Sequence, residues 1–291
     1  MYNGIIVFNK RQGITSQKAI TEIKYALKDQ GIDIKKIGHA GTLDPLATGV
    51  LIVLINNATK LSDYLLNDIK SYKAKILLGE SYDTEDITGT LLNKMVVNNV
   101  DKNKIDQVLS SLIGETEQVP PMYSAVKING QKLYEIARKG ETVERKSRTI
   151  KILNLERTSE IEEIEDKVYF DFVSKVSKGT YIRTLCTRIG ECLGCYASMA
   201  ELVRISSGNF LLDNSSTIDD IKEGKFKIIN MVEAIDLEKI NLDDNTFNDV
   251  KNGKMITLNS KEALVALVYN KQLVAIYERD NQEYKAKRVW N

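Results

Sequence analysis

The stretch from residue 38 to residue 49 leaves the backbone the fewest conformations. It contains three glycines, one proline, one aspartate and the only histidine of the chain. Glycine permits backbone angles closed to other residues, and Pro45 removes a hydrogen-bond donor and pushes Asp44 toward an extended conformation. We therefore expect a shaped loop that presents Asp44. The apolar run 50–55 that follows has the length of a strand buried on both faces.

Composition alone leaves two interpretations of Asp44. It is either a carboxylate that the loop presents for a function, or a turn residue that only accepts hydrogen bonds from nearby amides, as Asp does in many turns. The order of the residues, GHAGTLDPLATGVL, resembles the catalytic motif of the TruB-type tRNA pseudouridine-55 synthases, which isomerise one uridine in the T-arm of tRNA. The resemblance implies that Asp44 is the catalytic carboxylate. It further implies that other residues of the same loop contact the RNA, namely His39, Gly41 and Thr42.

Four positions gain a function only from this resemblance. By pattern alone, Tyr72 at the start of the strand 72–79 is a packing residue, whereas the family has a tyrosine there that stacks on the target base. Arg183 could equally pair with any surface carboxylate. The run KGTYIRTL resembles a further motif of the family, whose Tyr181 and Arg183 face the catalytic aspartate. Leu202, a core residue by default, resembles the leucine that lines the uracil pocket.

A segregation of charge lies behind the near-neutral total of 41 basic and 40 acidic residues. Residues 127–151 carry eight basic side chains against three acidic ones, and residues 156–166 carry six acids and one base. A basic run is usually a solvated face, and it is also the electrostatic signature of an RNA-binding surface. In the resembled family the basic region is an insertion that grips the tRNA arm. This assigns Lys127 and Arg138 to RNA contacts, and the resemblance implies the same role for Lys178, which begins the run KGTYIRTL.

The element pattern predicts an α+β protein. We expect a catalytic domain over residues 1–228, with a large mixed or antiparallel β-sheet, flanking helices and a basic insertion at about 124–150. Residues 229–291 are expected to form a small β-rich domain, similar to the PUA-type RNA-binding domains of the family or another small β module. Two further expectations are local: Ser16 caps the first helix, and residues 58–67 form a short helix. A basic end at 285–288 closes the chain.

The sequence contains little that favours a metal or a cofactor. The three cysteines lie within ten positions, and a zinc site would need a fourth ligand. The acidic turn 82–86 lacks the spacing of a calcium loop and is expected to be solvated. No apolar run reaches the length of a membrane helix, so we expect a cytoplasmic monomer that acts on the T-stem-loop of tRNA without metal or cofactor.

The chemistry implied by the resemblance explains these residue types. Pseudouridine formation detaches uracil from ribose and rejoins it through carbon, so the enzyme needs a carboxylate as nucleophile or base. The target uridine must first be flipped out of its stack. Three alternatives stay open at this point: a guide-RNA-dependent homologue, a non-catalytic tRNA-binding or folding module, and a glycoside hydrolase, which would need a second positioned carboxylate.

Overall fold

The computed structural model describes residues 2–65, 69–98 and 100–290. Its strands, in chain order, are β1 (Gly4–Lys10), β2 (Ile37–Ala40), β3 (Thr48–Ile55), β4 (Lys70–Leu78), β5 (Glu80–Tyr82), β6 (Leu91–Lys94), β7 (Gly114–Gln118), β8 (Lys127–Ile128), β9 (Gln131–Lys132), β10 (Arg148–Arg157), β11 (Glu162–Ile164), β12 (Lys167–Val176), β13 (Ala197–Ser207), β14 (Phe210–Leu211), β15 (Glu238–Asn241), β16 (Leu264–Tyr269), β17 (Gln272–Asp280) and β18 (Glu283–Val289). The helices are α1 (Ser16–Asp29), α2 (Ser62–Leu65), α3 (Lys102–Ser111), α4 (Leu133–Ala137), α5 (Ile182–Leu193), α6 (Ile218–Lys222), α7 (Met231–Ala234) and α8 (Asp244–Lys251), with 3-10 turns at Asn56–Leu61 and Leu212–Asn214. None of these helices is both long enough and apolar enough to cross a membrane. The expected α+β class is confirmed.

The large sheet has ten strands and follows the path β1-β3-β13-β4-β12-β10-β7, with β2, β11 and β14 attached beside it. Neighbours on the path run antiparallel, except that β3 and β13 are parallel. Helices α1, α3 and α5 bury apolar side chains in the core of this sheet. The predicted mixed sheet with flanking helices is therefore present.

Strand β3 is the centre from which the candidate site is built. Its residues from Gly49 to Ile55 are all buried, as the apolar run predicted. One edge of β3 pairs with β1, and the other edge is shared by β13 at its start and by β2 at its end. The expectation of an irregular loop from residue 38 was wrong at its beginning, because Ile37–Ala40 pairs with β3 as strand β2. The loop proper spans residues 41–47.

Helix α1 packs its apolar face, including Ala19, Ile23 and Leu27, into the core. The expected cap was wrong by one position: the Thr15 side chain accepts from the backbone amide of Lys18 at 3.1 Å and caps the helix. Ser16 is buried instead and turns its hydroxyl toward the 41–47 loop. The short helix expected over residues 58–67 is a 3-10 turn followed by α2, and residues 66 and 67 lie outside the described residues.

The C-terminal part forms a second sheet of four strands, in the order β15-β16-β17-β18. Its own core contains Val250, Val265, Tyr277 and Tyr284. The basic end at 285–288 lies in β18, which pairs with β17, and its side chains are exposed. The small β-rich C-terminal unit is confirmed, and its PUA-type identity stays a prediction.

The two sheets share part of one core. Apolar residues of β1 and β3, among them Val7 and Ile52, cluster with Ile276 and Trp290. The Trp290 Nε1 donates to the main-chain oxygen of Asn57 at 3.0 Å. The boundary expected after residue 228 stays a prediction, and whatever its position, the C-terminal sheet covers apolar surface of the first strands.

Candidate active site

Asp44 lies in the middle of the 41–47 loop, beside the buried edge of β3. The loop leaves β2 at Gly41, whose φ of +76° is a conformation that L side chains rarely adopt. It is held by one main-chain hydrogen bond within the loop, from Ala47 N to Asp44 O at 3.1 Å, and by one from the turn before α1, from Gly13 N to Pro45 O at 2.9 Å. The Asp44 side chain keeps 37% of its surface exposed. The loop therefore presents this carboxylate to solvent, as the sequence indicated.

Arg183, in the first turn of α5, contacts Asp44, and its side chain is only 3% exposed. Its Nε donates to Asp44 Oδ2 at 2.9 Å, its Nη1 to the main-chain oxygen of Thr84 at 2.8 Å, and its Nη2 to that of Tyr123 at 2.8 Å. The guanidinium thus joins three segments of the chain. The contact that the resemblance implied is present, and its catalytic significance stays a prediction.

The prediction of a solvated turn at 82–86 is correct only in part, because residues 82–85 are partly exposed but Asp86 is buried. Asp86 is 5% exposed, and its Oδ2 lies 3.9 Å from Arg183 Nε. Its Oδ1 accepts from the Thr84 hydroxyl and from Thr88 N, both at 3.0 Å. The turn is held against β13 by main-chain hydrogen bonds around Met199. This docking depends on residues far apart in the sequence, which is why local composition did not reveal it.

Glu85, in the same turn, is a partly buried acid that sequence reasoning did not single out. Burial raises its pKa above the usual value, although the hydrogen bond from the Thr184 hydroxyl, 2.6 Å from Oε2, and the charge of Arg183 act in the opposite direction. Its φ of +62° is unusual for a non-glycine residue. Arg183 is therefore bordered by two carboxylates besides Asp44.

Tyr72 on β4 and Leu202 on β13 lie on the same face of the large sheet. Tyr72 pairs with Arg204 and Leu202 with Ala74 in the antiparallel register of the two strands, and directly opposite residues point to the same face. Both side chains are 7% exposed and belong to one apolar cluster with Leu43 of the loop. The predicted base-stacking and pocket residues therefore share one cluster with the loop that carries Asp44.

Tyr181 is the N-cap residue of α5, two positions before Arg183. Its main-chain N–H and oxygen exchange two hydrogen bonds with the side-chain amide of Gln118, at 2.8 and 3.0 Å. Within the described residues no hydrogen bond joins its hydroxyl to Asp44. Its observed contacts fix the start of the helix that carries Arg183, and its catalytic role stays a prediction.

The other loop residues named from the sequence differ in exposure. Thr42 is exposed, and the Gly41 main-chain oxygen accepts a hydrogen bond from Arg204 Nη2 at 2.6 Å. Burial, and then the nearby Arg204 cation, lower the pKa of His39 below its usual value, so the imidazole is neutral at pH 7. Its Nδ1 is buried and has no hydrogen-bond partner among the residues that the structure describes.

The basic insertion contains the β8–β9 hairpin and α4, and the Asn129-Gly130 pair forms the tight turn of the hairpin with φ values of +51° and +83°. Lys127, Arg138 and also Lys178, in the turn before α5, are exposed. The Arg138 guanidinium lies 5.4 Å from the centre of the Tyr134 ring. These three basic residues therefore lie at the surface, and their contact with RNA stays a prediction.

Lys10, at the end of β1, is a residue of this region that the sequence analysis missed. It is fully buried, and its Nζ donates to the main-chain oxygen of Ile14 at 2.9 Å and contacts that of Pro45 at 3.5 Å. Burial lowers the pKa of Lys10 to about 8, against the opposing effect of Asp44. Lysines are seldom buried, so only its position directly after an apolar strand could have drawn attention to it.

The assembled groups support one kind of chemistry. A half-exposed carboxylate stands beside a buried guanidinium, and an aromatic and an aliphatic side chain share the neighbouring sheet face. Such a carboxylate can act as a nucleophile or as a base toward a ligand that stacks on the apolar face. Among the described residues, no group of three or more His, Cys, Asp or Glu is arranged to hold a metal ion.

Comparison with known families gives matches over most of the chain. Residues 30–182 match the family described as TruB family pseudouridylate synthase (N terminal domain). Residues 183–243 match the family described as tRNA pseudouridylate synthase B C-terminal domain. The two matches join immediately before Arg183.

Curated relatives agree with these matches. A tRNA pseudouridine synthase B of Staphylococcus haemolyticus is 50% identical over 225 residues, which cover 77% of this chain and 72% of the relative. A tRNA pseudouridine synthase B of Staphylococcus saprophyticus is 40% identical over the whole of both chains. Among solved structures, one of an H/ACA RNP bound to a substrate RNA containing 2'-deoxyuridine superposes with a TM-score of 0.70 at 26% identity, covering 99% of this chain and 85% of the other. A Cbf5-Nop10-Gar1 complex gives 0.69 at 28% identity, covering 99% and 84%.

Proposed function

The chain belongs to the TruB family of pseudouridylate synthases, and we propose that it converts the uridine at position 55, in the T-arm of tRNA, into pseudouridine. The observation that carries this proposal is the pair formed by Asp44 and Arg183. A carboxylate with 37% exposure is oriented by a guanidinium with 3% exposure, at 2.9 Å. The reaction needs a carboxylate of this kind, which is accessible to a nucleotide and fixed in direction.

The reaction is an isomerisation, so its atoms balance without a second substrate. The bond between uracil N1 and ribose C1′ breaks, a bond between uracil C5 and C1′ forms, the proton on C5 leaves, and N1 gains a proton. Asp44 serves as the nucleophile or base beside the sugar and ring. Arg183 holds the carboxylate in one orientation, because the other donors of its guanidinium bind main-chain oxygens on two other segments and so fix the guanidinium in place.

The base must leave its stack before Asp44 can reach it, at a cost of a few kcal/mol. Stacking on Tyr72 offsets part of this cost, since base–aromatic stacking contributes about 1–3 kcal/mol. Leu202, in the same apolar cluster, contacts the flipped uracil. The lowered pKa of His39 favours a neutral imidazole that fills the space the base leaves, over a charged one that binds phosphate.

The basic insertion supports the choice of tRNA as the substrate. Residues 127–151 carry a strong excess of positive charge, and Tyr123 at its base donates its hydroxyl to Asp83 at 3.3 Å while its main-chain oxygen binds Arg183. An RNA arm gripped by the exposed Lys127 and Arg138 would thus lie next to the carboxylate.

Two alternatives are less well supported. The ribonucleoprotein neighbours are 26–28% identical, whereas the relatives named tRNA pseudouridine synthase B are 40–50% identical, which favours a stand-alone enzyme over a guide-RNA-dependent one. A purely RNA-binding module would have no need for a buried guanidinium aimed at an exposed carboxylate.

The test uses tRNA labelled with tritium at C5 of uridine. Purified protein, without added cofactor or metal, is expected to release label in proportion to the pseudouridine formed, which mass spectrometry of RNase fragments assigns to position 55. Asp44→Asn is expected to abolish release while the dissociation constant for the tRNA stays within about threefold, because the amide keeps the shape of the carboxylate but not its charge.

Asp171→Asn is the matched control. Asp171 forms an ion pair with Lys73 on the large sheet, at 2.9 Å, and lies outside the site. Its variant should retain wild-type release. Absence of release by the wild-type protein, or full release by Asp44→Asn, contradicts the proposal.

A further inference from the structure

The 41–47 loop is fastened at both ends by one side chain, that of Arg204 on β13. Arg204 Nη2 donates to the main-chain oxygen of Gly41, where the loop begins, at 2.6 Å, and its Nε donates to that of Val50, just past the end of the loop, at 2.7 Å. We propose that Arg204 is a positioning residue of the reaction, which sets the place of Asp44 by fixing the two ends of its loop. This inference rests on the function proposed above.

Burial makes the arrangement specific. Arg204 is 1% exposed, among the largest fully buried side chains of the described residues. Within those residues no carboxylate lies close enough to form an ion pair with it. A buried guanidinium is costly unless its donors are satisfied, and here two main-chain oxygens accept from them. An apolar residue would fill the same volume at lower cost, so the retained cation indicates a demand for these two hydrogen bonds.

The backbone of β13 is brought to the loop by a close approach at Gly49. The parallel contact of β3 with β13 consists of the pairs Thr48 with Val203 and Gly49 with Arg204. A Cβ on Gly49 would lie 2.3 Å from the main-chain oxygen of Arg204, and Gly49 has a φ of +96°. Only glycine therefore allows the strands to approach so closely, and this approach lets the Arg204 side chain reach both loop ends.

Two other buried side chains hold the middle of the loop. The Ser16 hydroxyl donates to Leu43 O at 3.0 Å and accepts from Leu43 N at 2.9 Å, and Lys10 Nζ lies 3.5 Å from Pro45 O. These contacts fix the residues on either side of Asp44. With the ends and the middle both held through main-chain atoms, the Asp44 carboxylate, which Arg183 orients, keeps its exposed side for the substrate.

The experiment compares Arg204→Met and Arg204→Lys with the wild type. Methionine fills the space without a donor, whereas lysine keeps the charge and one hydrogen bond. Single-turnover rates at saturating enzyme are expected to fall about 100-fold for Arg204→Met and about tenfold for Arg204→Lys. The reason is that a shift of about 1 Å in a catalytic group can slow the chemical step about 100-fold. The dissociation constant for tRNA should change less than about threefold, since the RNA does not contact Arg204.

The folded state is checked in the same variants by the NMR signal of His39, the only histidine. Loss of the Arg204 cation should raise the pKa of His39, while its signal stays dispersed as in a folded chain. Ser207→Ala is the matched control, because Ser207 is buried on the same strand and its hydroxyl has no hydrogen-bond partner among the described residues. It should react at the wild-type rate.

Each outcome decides the inference. A rate loss in the order Met, then Lys, with unchanged RNA binding and a folded His39 signal supports it. Wild-type rates in a folded Arg204→Met overturn it. Unfolding of both Arg204 variants, or equal losses of rate and RNA affinity, also overturns it, since either result means that Arg204 has a role in folding alone. A wild-type protein that releases no tritium is a different result, which contradicts the proposed function and not the fastening of the loop.

Discussion

Asp44 and Arg183 form an unequal pair: the carboxylate keeps 37% of its surface exposed, whereas the guanidinium keeps 3%. The cation is thus held by protein atoms on every side, and the anion is free on the side that faces solvent. A surface ion pair in which both partners are mobile contributes little to structure. This pair instead provides one fixed direction for an accessible carboxylate.

Arg183→Lys is expected to lower kcat about 100-fold, because an ammonium cannot make the forked contacts to Asp44, Thr84 O and Tyr123 O at the same time. Tritium release from labelled tRNA measures the effect. Arg188→Lys is the control on the same helix, since Arg188 is exposed and pairs with Glu191. Near-normal turnover of Arg183→Lys would refute a directing role for the guanidinium.

Asp86→Asn is expected to reduce kcat about tenfold, equal to ~1.4 kcal/mol in the barrier. Asn keeps an acceptor for Thr88 N but removes the second negative charge near Arg183. Without it, the guanidinium is balanced by fewer charges in a buried setting. Asp106→Asn, which weakens the exposed pair with Arg157, should leave kcat unchanged. Equal behaviour of the two variants would mean that Asp86 serves the turn and not the site.

Tyr72 can be tested with two substitutions that separate the ring from the hydroxyl. Tyr72→Leu should weaken kcat/KM by about 10- to 100-fold, corresponding to the 1–3 kcal/mol of a lost stacking platform. Tyr72→Phe keeps the ring and should retain the affinity for tRNA, so any fall in its kcat reports the hydroxyl in removal of the C5 proton. Full activity of Tyr72→Leu would exclude stacking on this residue.

Lys10 predicts a pH dependence of stability. Its pKa is about 8 in the folded protein, against an ordinary value of 10.5. Between these values the unfolded chain binds the proton more strongly, so this group makes the free energy of unfolding rise with pH from about 8 to 10.5. The wild type should gain about 3 kcal/mol over Lys10→Met across this interval. Urea unfolding of both proteins at several pH values measures it, and a constant difference contradicts the assignment.

Gly49→Ala and Gly194→Ala separate crowding from backbone strain. Both glycines have positive φ, but a Cβ at Gly194 meets nothing within 4 Å, whereas one at Gly49 meets the backbone of Arg204. Gly194→Ala should cost about 1–2 kcal/mol in the free energy of unfolding. Gly49→Ala should cost about 3 kcal/mol or more, since the strands must also separate. Similar losses in the two variants would contradict the close approach.

The sequence revealed the parts of the fold that depend on local pattern. The apolar run 50–55 predicted β3. In the same way, the alternation around Phe170 and Phe172 is typical of a strand such as β12, and an Asn-Gly pair such as Asn129-Gly130 is typical of a hairpin turn. The charge of the basic end at 285–288 did not indicate its structure, because pairing with β17 makes it part of β18. Strand β2 was not predicted, since its glycine and histidine are poor strand residues. Only their pairing with β3 makes this segment a strand.

The residues of the candidate site were likewise predictable only where a local pattern marks them. Asp44 stood out because glycine and proline mark its loop, and Arg183 because it begins a helix within a motif. Asp86 and Lys10 did not, since their importance comes from burial against segments that are distant along the chain. Arg204 was invisible for the same reason: a basic residue in a strand reads as solvent-facing until the register is known.

The apolar patch that Trp290 and Ile276 cover on the first strands has a consequence for synthesis. A nascent chain emerges from the ribosome amino end first, so β1 and β3 are made before Ile276 and Trp290. Until those two residues are made they cannot cover the apolar patch, and a polypeptide that stopped before β17 would leave it exposed to chaperones and proteases. Burial of this surface on the first strands therefore requires synthesis to proceed through Trp290.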